Sequence, residues 1–231
     1  MSESSEILDW GIAVVRWFQQ FSPSLDLPFK TLTLLGNLEF FLLFMPLLYW
    51  CLDRRIGARL LVLFLMSAYI NSVAKVIAFQ PRPFEYDPAV KALVHAGGGG
   101  FPSGHTQGAV VVWGCIAAEV KKPSMWMLAG FLMVAIPLSR LYLGVHFPTD
   151  LLGGYLIGAA LLTAYLRFGP VIEAGLVKRG IRWQMAAAIG LSVGLILLSP
   201  AGARYAATAG SVLLGFTPGM ILERRWVRFD C

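Results

Sequence analysis

The sequence predicts an all-α polytopic membrane helical bundle of six to seven transmembrane helices, and three observations carry that prediction. Charged residues are only 14% of a 231-residue chain, where a soluble domain carries about a quarter. Hydrophobic residues are 57%, and the mean hydropathy is +0.68. Apolar runs near the ~20 residues needed to cross ~30 Å of hydrocarbon recur along the chain. No internal repeat is visible, and the one low-complexity stretch is a short glycine run, so 1–231 reads as a single domain.

Residues 5–21, "SEILDWGIAVVRWFQQF", are too short and too polar to cross. Their Trp and Phe content around Arg16 predicts an amphipathic helix lying in the membrane interface, ended by "SPSLDLP". Spans are then expected near 29–50, 57–79, 103–121, 124–142, 150–168, 183–200 and 204–222. The last two are separated only by "SPAGAR" and can be drawn differently, which is why the count is six or seven.

The net charge of +6 forms no tail or stripe, so it does not indicate nucleic acid. It sets a topology instead. Arg54, Arg55, Arg59, Lys121, Lys122, Arg167, Lys178, Arg179, Arg182, Arg224, Arg225 and Arg228 all fall on one side, expected to be cytoplasmic. The other side holds few, among them Lys75, Arg82, Lys91, Arg140 and Arg204. The N-terminal "MSESSEILDW" lacks a basic region and a small-residue cleavage site, so no cleaved signal peptide is expected. Compact size and the lack of targeting signals point to a bacterial inner membrane. Cys51, Cys115 and Cys231 are far apart and imply no disulfide framework.

Three stretches border the sparsely charged side: "KVIAFQPRP" (75–83), "PSGH" (102–105) and "SRLYLGVHFPTD" (139–150). Ionisable groups at membrane depth are costly and are functional candidates by default. Lys75, Arg82 and Arg140 supply three cations, two of them guanidinium forks suited to phosphate oxygens. Ser103 and Gly104 stand where the third span begins, so backbone N–H groups and the helix dipole offer an anion site there. His146 and Asp150 are four apart and would share a helix face if the fifth span begins just before them. A carboxylate on one imidazole nitrogen leaves the other as a nucleophile. His105, across a bound phosphate, would protonate the departing oxygen. Two such histidines among cations describe phosphoryl transfer through a phosphohistidine. Fixed cations and helix-end amides remove the need for a metal, and the chain lacks the clustered carboxylates of a two-metal site, so no cofactor is expected.

Taken together, in order and at full spacing, these stretches resemble the three signature motifs of the type 2 phosphatidic acid phosphatase (PAP2) superfamily, which also contains vanadium haloperoxidases and glucose-6-phosphatase. The resemblance implies a membrane-embedded helical core with a metal-independent phosphatase site near the outer leaflet. It assigns His146 as nucleophile, Asp150 as its partner and His105 as acid, with Lys75, Arg82, Ser103, Gly104 and Arg140 holding the phosphate. The expected partners are a lipid phosphate and the bilayer. Phosphatidic acid, phosphatidylglycerophosphate and polyprenyl diphosphate all remain open, as does the oligomeric state. A lipid-to-lipid or lipid-to-sugar phosphotransferase would use the same residues, and a phospholipid or anion transporter would need only the cations. A soluble haloperoxidase is excluded by the apolar spans.

Other residues invite plainer readings. Asp150 and Ser103 are expected to cap the fifth and third spans as well. Asn71, one turn before Lys75, reads as a helix–helix hydrogen bond; Glu39, beside Asn37 in the first span, as a cleft lining or a cation's partner. Glu85, Tyr86, Asp87 and His95 read as solvated loop, and the glycines 97–100 as a mobile cover over the site. Gly153, Gly154 and Gly158 predict close helix packing. The Phe and Trp residues of the spans are expected to face lipid or interface.

Overall fold

The structure is a computed structural model that describes residues 3–227; Arg228, Cys231 and the side chain of Arg204 lie outside the described residues. The chain forms α1 (Glu3–Gln19), α2 (Asp26–Leu34), α3 (Leu38–Leu47, continued by a π turn over Leu48–Leu52), α4 (Arg54–Ala78), the short α5 (Pro83–Tyr86), α6 (Gly104–Val120), α7 (Pro123–Tyr142), α8 (Pro148–Val177), α9 (Ile181–Leu197) and α10 (Arg204–Leu222, with a π turn over Glu223–Val227). Among the described residues four segments are long and apolar enough to cross a membrane: Arg54–Tyr86, Pro123–Tyr142, Pro148–Val177 and Tyr205–Val227. Asp26–Leu34 and Leu38–Leu52 make a fifth if the bent pair counts as one span.

The expected first span is therefore not one straight helix. Its halves are bent by 47°, and the break falls at Gly36-Asn37, a turn-forming pair inside an apolar run. The expected fifth span is longer than its apolar run. It continues through Pro170 to Val177, so Arg167 belongs to the helix and not to a loop.

At the centre stands α6, whose residues Thr106–Ala117 are all buried against α4, α7 and α8. No polar stripe is needed on a helix surrounded by others. Gly154 of α8 meets α6 so closely that a Cβ there would lie 2.7 Å from the Ser103 carbonyl and 2.8 Å from Thr106 Cβ. A Cβ on Gly158 would come within 3.0 Å of Val110. The predicted close packing at these glycines is present. The main core gathers Phe41, Leu60, Leu63, Val111, Trp113 and Ile136. Phe41 and Trp113 are thus interior, contrary to the expectation that aromatic residues of the spans face outward; both belong to the main core. Large apolar side chains still cover the outside, among them Leu43, Phe131, Leu156, Val171 and Leu197. Such a surface suits hydrocarbon.

The α9–α10 hairpin joins this body through α10, where Ala209 and Leu213 pack on Leu65 of α4. Helix α1 buries Ile12 and Val15 against Leu141, Phe147 and Leu151 while Trp10 and Trp17 remain exposed. The helix runs over Glu3–Gln19, two residues further towards the N-terminus than the expected 5–21 and two shorter at its other end.

One end of the bundle is tied by ions. Arg59 of α4 bonds Glu119 of α6 at 2.9 Å and also Glu173 of α8, and Tyr165 donates to Glu119 at 2.8 Å. Arg54 pairs with Glu223 at 3.1 Å. Arg59 is therefore a helix-to-helix tie and not a solvated loop cation. Of the cysteines, Cys51 is free and exposed and Cys115 free and buried.

Candidate active site

All eight residues singled out from the sequence come to the other end of the bundle, where α4, α6, α7 and α8 meet. Lys75 lies in the last turn of α4 and Arg140 in the last turn of α7. Ser103 is the N-cap of α6, its hydroxyl accepting from the Thr106 N–H at 3.4 Å, and Gly104 is the first residue of that helix. Gly144, at φ 73°, turns the chain after α7 and delivers His146 to the start of α8.

His146 and Asp150 do not share a helix face. Pro148 is the first residue of α8, so Phe147 is its N-cap and Asp150 stands in the first turn instead of capping it. Asp150 Oδ2 reaches back to the Phe147 N–H at 2.9 Å and to His146 Nδ1 at 3.0 Å. Proline fixes the N1 position without losing a needed donor, and the carboxylate sits in the favourable first turn. Asp150 Oδ1 accepts from Gln80 Nε2 at 2.8 Å, and its backbone carbonyl accepts from the Ser103 N–H at 2.9 Å. Asp150 therefore fixes the histidine and the helix start through its fully buried carboxylate, and the neighbouring α6 cap through its backbone carbonyl.

The three cations differ in how committed they are. Arg82 donates Nε to Gly98 O at 2.9 Å, Nη1 to Val145 O at 2.7 Å and Nη2 to Gly97 O at 2.8 Å. Lys75 Nζ donates to Gly99 O and to Gly100 O at 3.2 Å. Arg140 donates Nη1 to Thr33 Oγ1, and its Nε is buried with no partner. Of a guanidinium's five donors, Arg82 has three engaged on backbone, while Arg140 keeps most of its set for something else. An unpaired buried donor is costly, and Arg140 Nε is one of the few such side-chain atoms among the described residues. The glycines 97–100, expected as a mobile cover, are instead tied down by these cations through their carbonyls.

His146 is 2% exposed. Burial, then the Lys75, Arg82 and Arg140 charges, hold its imidazole well below the ordinary histidine range. It is neutral, and with Nδ1 turned to Asp150 its other nitrogen is the one available for chemistry. His105 Nε2 lies 2.9 Å from Asn37 Oδ1. Gly36 backs the same ring so closely that a Cβ there would lie 2.6 Å from His105 Cδ2.

Asn37, Gly36, Thr33 and Gln80 were not assigned to the site from the sequence. Their signal was faint: uncharged polar residues beside motifs, and a Gly-Asn break in an apolar run. Asn71 bonds the Pro102 carbonyl at 3.3 Å and Gln107 at 2.9 Å, the helix–helix support expected of it. Glu85 accepts from the Arg82 N–H at 2.8 Å, Tyr86 donates to Asp9 of α1 at 3.0 Å, and Asp87 accepts from the Ala89 N–H at 2.8 Å, so these residues brace the loop. His95 is exposed.

The chain is similar to known proteins. Phosphatidylglycerophosphatase B of Bacillus subtilis is 35% identical over 126 residues, 51% of this chain and 60% of its own. Sphingosine-1-phosphate phosphatase 2 of Mus musculus is 32% identical over 143 residues, 58% of this chain and 40% of its own. The chain thus spans 60% or less of the length of these relatives. The crystal structure of a transmembrane PAP2-type phosphatidylglycerolphosphate phosphatase from Bacillus subtilis superposes with a TM-score of 0.61 at 26% identity, covering 74% of this chain and 89% of that one. The sequence profile of the PAP2 superfamily matches residues 56–172, from the start of α4 almost to the end of α8. That stretch holds every one of the eight clustered residues, and the chain belongs to the PAP2 superfamily.

Proposed function

We propose that the protein is a metal-independent lipid phosphatase that works through a phosphohistidine on the extracytoplasmic side of a membrane. The observation that carries the reading is the buried His146–Asp150 bond within reach of three cations, one of them with an unpartnered donor. In the first step the free His146 nitrogen attacks phosphorus as the bond to the leaving oxygen breaks, and His105 protonates that oxygen. In the second, His105 takes a proton from water, the water oxygen bonds phosphorus, the P–N bond breaks and phosphate leaves. Arg140, the remaining Lys75 and Arg82 donors and the α6 N-terminus carry the charge that develops. Among the described residues no three His, Cys, Asp or Glu side chains gather into a metal-holding group.

A lipid monoester or diphosphate is the substrate class that fits a site at a helix end, where the head is polar and the tail stays in hydrocarbon. Relatives named for phosphatidylglycerophosphate and for sphingosine-1-phosphate support lipid phosphates generally. For the topology we read the bent α2–α3 pair, α4, α6, α7, α8, α9 and α10 as seven spans. The 17-residue helices α6 and α9 are at the short limit for crossing. The ion-tied end, rich in arginine, faces a bacterial cytoplasm in this reading.

The test is phosphate release by purified protein in detergent, in EDTA, over lipid mono- and diphosphates, beside His146→Ala. Release that vanishes in the variant and yields to vanadate supports the reading. A requirement for added metal, or turnover by a folded His146→Ala variant, overturns it.

A further inference from the structure

Arg140 is held by a residue that neither the three motifs nor the family profile includes. Thr33 stands in the last turn of α2, outside the matched stretch 56–172, and its buried hydroxyl accepts from Arg140 Nη1. Among the described residues this is the one hydrogen bond that the Arg140 side chain makes. Its Nε is buried without a partner, and no described carboxylate forms an ion pair with it. A neutral oxygen orients a guanidinium without compensating its charge, which a carboxylate would do.

Which donor is taken decides which remain. In a guanidinium the Nε–H and one Nη2–H lie parallel along one edge, and Nη1 lies outside that edge. With Nη1 engaged by Thr33, the Nε–Nη2 edge is left whole. Such an edge matches two oxygens of one tetrahedral anion. The position of α2 does not depend on this bond. One turn before Thr33, Phe29 stacks on Tyr142 of α7 with ring centroids 4.4 Å apart, and the Tyr142 hydroxyl donates to Asp26 Oδ1 at 2.6 Å. Tyr142 follows Arg140 by two residues at the end of the same helix. The Thr33 carbonyl accepts from the Gly36 N–H at 3.0 Å, which fixes the residue at the bend itself.

We propose that Thr33 is a positioning residue of the reaction: acting through Arg140, it aims the Nε–Nη2 edge at the phosphoryl group. This rests on the phosphatase reading given above. The probe is orthovanadate, whose Kd for the purified protein in detergent is read by calorimetry, so that neither the lipid substrate nor the active fraction enters the number. Thr33→Val, which keeps the branched shape and loses the acceptor, should weaken vanadate about tenfold, the scale of one charge-assisted contact. Thr33→Ala should match it, and Thr33→Ser should recover most of the affinity. In an Arg140→Lys background, with no planar edge left to orient, Thr33→Val should add no further loss. An unchanged Kd in Thr33→Val and Thr33→Ala, no recovery in Thr33→Ser, or the same loss repeated in the Arg140→Lys background overturns the role of Thr33 and leaves the phosphatase standing. A wild type that binds no vanadate also overturns it, and one that in addition releases no phosphate from any lipid phosphate removes the phosphatase as well.

Discussion

Asp150 Oδ2 receives the His146 ring and the Phe147 N–H within 0.1 Å of the same distance, 3.0 and 2.9 Å. One oxygen thus orients the His146 ring and holds the turn that carries it. Asp150→Asn keeps the shape but offers the ring an amide that can present a donor where an acceptor is needed. By analogy with the same change in a serine-protease triad, kcat should fall by roughly 10³ to 10⁴, with the fold intact by circular dichroism. Wild-type turnover in Asp150→Asn would remove Asp150 from the mechanism.

Asn37 should matter in proportion to how much the leaving group needs a proton. With its amide removed in Asn37→Ala, His105 loses its 2.9 Å partner. Turnover of an alkyl phosphate is expected to drop about 10- to 100-fold, mainly in kcat, within the usual size of an acid–base contribution. An aryl phosphate with an acidic phenol leaves without help, so its kcat should change far less. Equal losses on both substrates would mean that Asn37 serves the fold and not the acid.

Burial and the surrounding cations keep His146 neutral in the folded protein, whereas an unfolded chain protonates it near the ordinary value of about 6.5. The depressed folded value means that His146 contributes stability fully above about pH 6.5 and loses it as pH falls towards that lower value. Thermal midpoints of wild type and His146→Gln, followed from pH 7.5 down to 5, should show wild type falling more steeply. Parallel curves would contradict the depressed value.

At the ion-tied end, Arg59→Met leaves Glu119 and Glu173 without their shared guanidinium. Removing one member of a partly buried network should cost about 1–3 kcal/mol of stability, read as a lower midpoint in a detergent melt. No change in midpoint would show the network to be a surface ornament.

The residues that could be found in the sequence were those whose charge is anomalous in apolar surroundings. Lys75, Arg82, Arg140, His105, His146 and Asp150 stood out for that reason, and their spacing told which helix ends would meet. Neutral groups gave no such contrast, so Asn37, Thr33 and Gln80 passed as ordinary polar residues although each holds a site residue. Helix limits followed hydropathy until something other than hydropathy set them. Gly36-Asn37 broke a run that looked continuous, and α8 ran on past its apolar stretch, where Glu173 reaches Arg55 and Arg59 of α4. The role of Asp150 shifted by three residues because Pro148 starts the helix. The glycine run was read as freedom, since a sequence does not show that its carbonyls are occupied.

The helices α4, α6 and α8 are fastened to one another at both ends, by Arg59, Glu119 and Glu173 at one and by Asn71, Ser103 and Asp150 at the other. A strut fixed at two points can neither swing nor slide, so these three behave as a chassis. The bent α2–α3 arm and the α9–α10 hairpin join it mainly by packing, Phe41 of α3 against the central core and Ala209 and Leu213 of α10 against Leu65 of α4. The arm is also what touches His105 and Arg140. A headgroup set between His105 and Arg140 would therefore meet that arm, while His146 is held by the chassis.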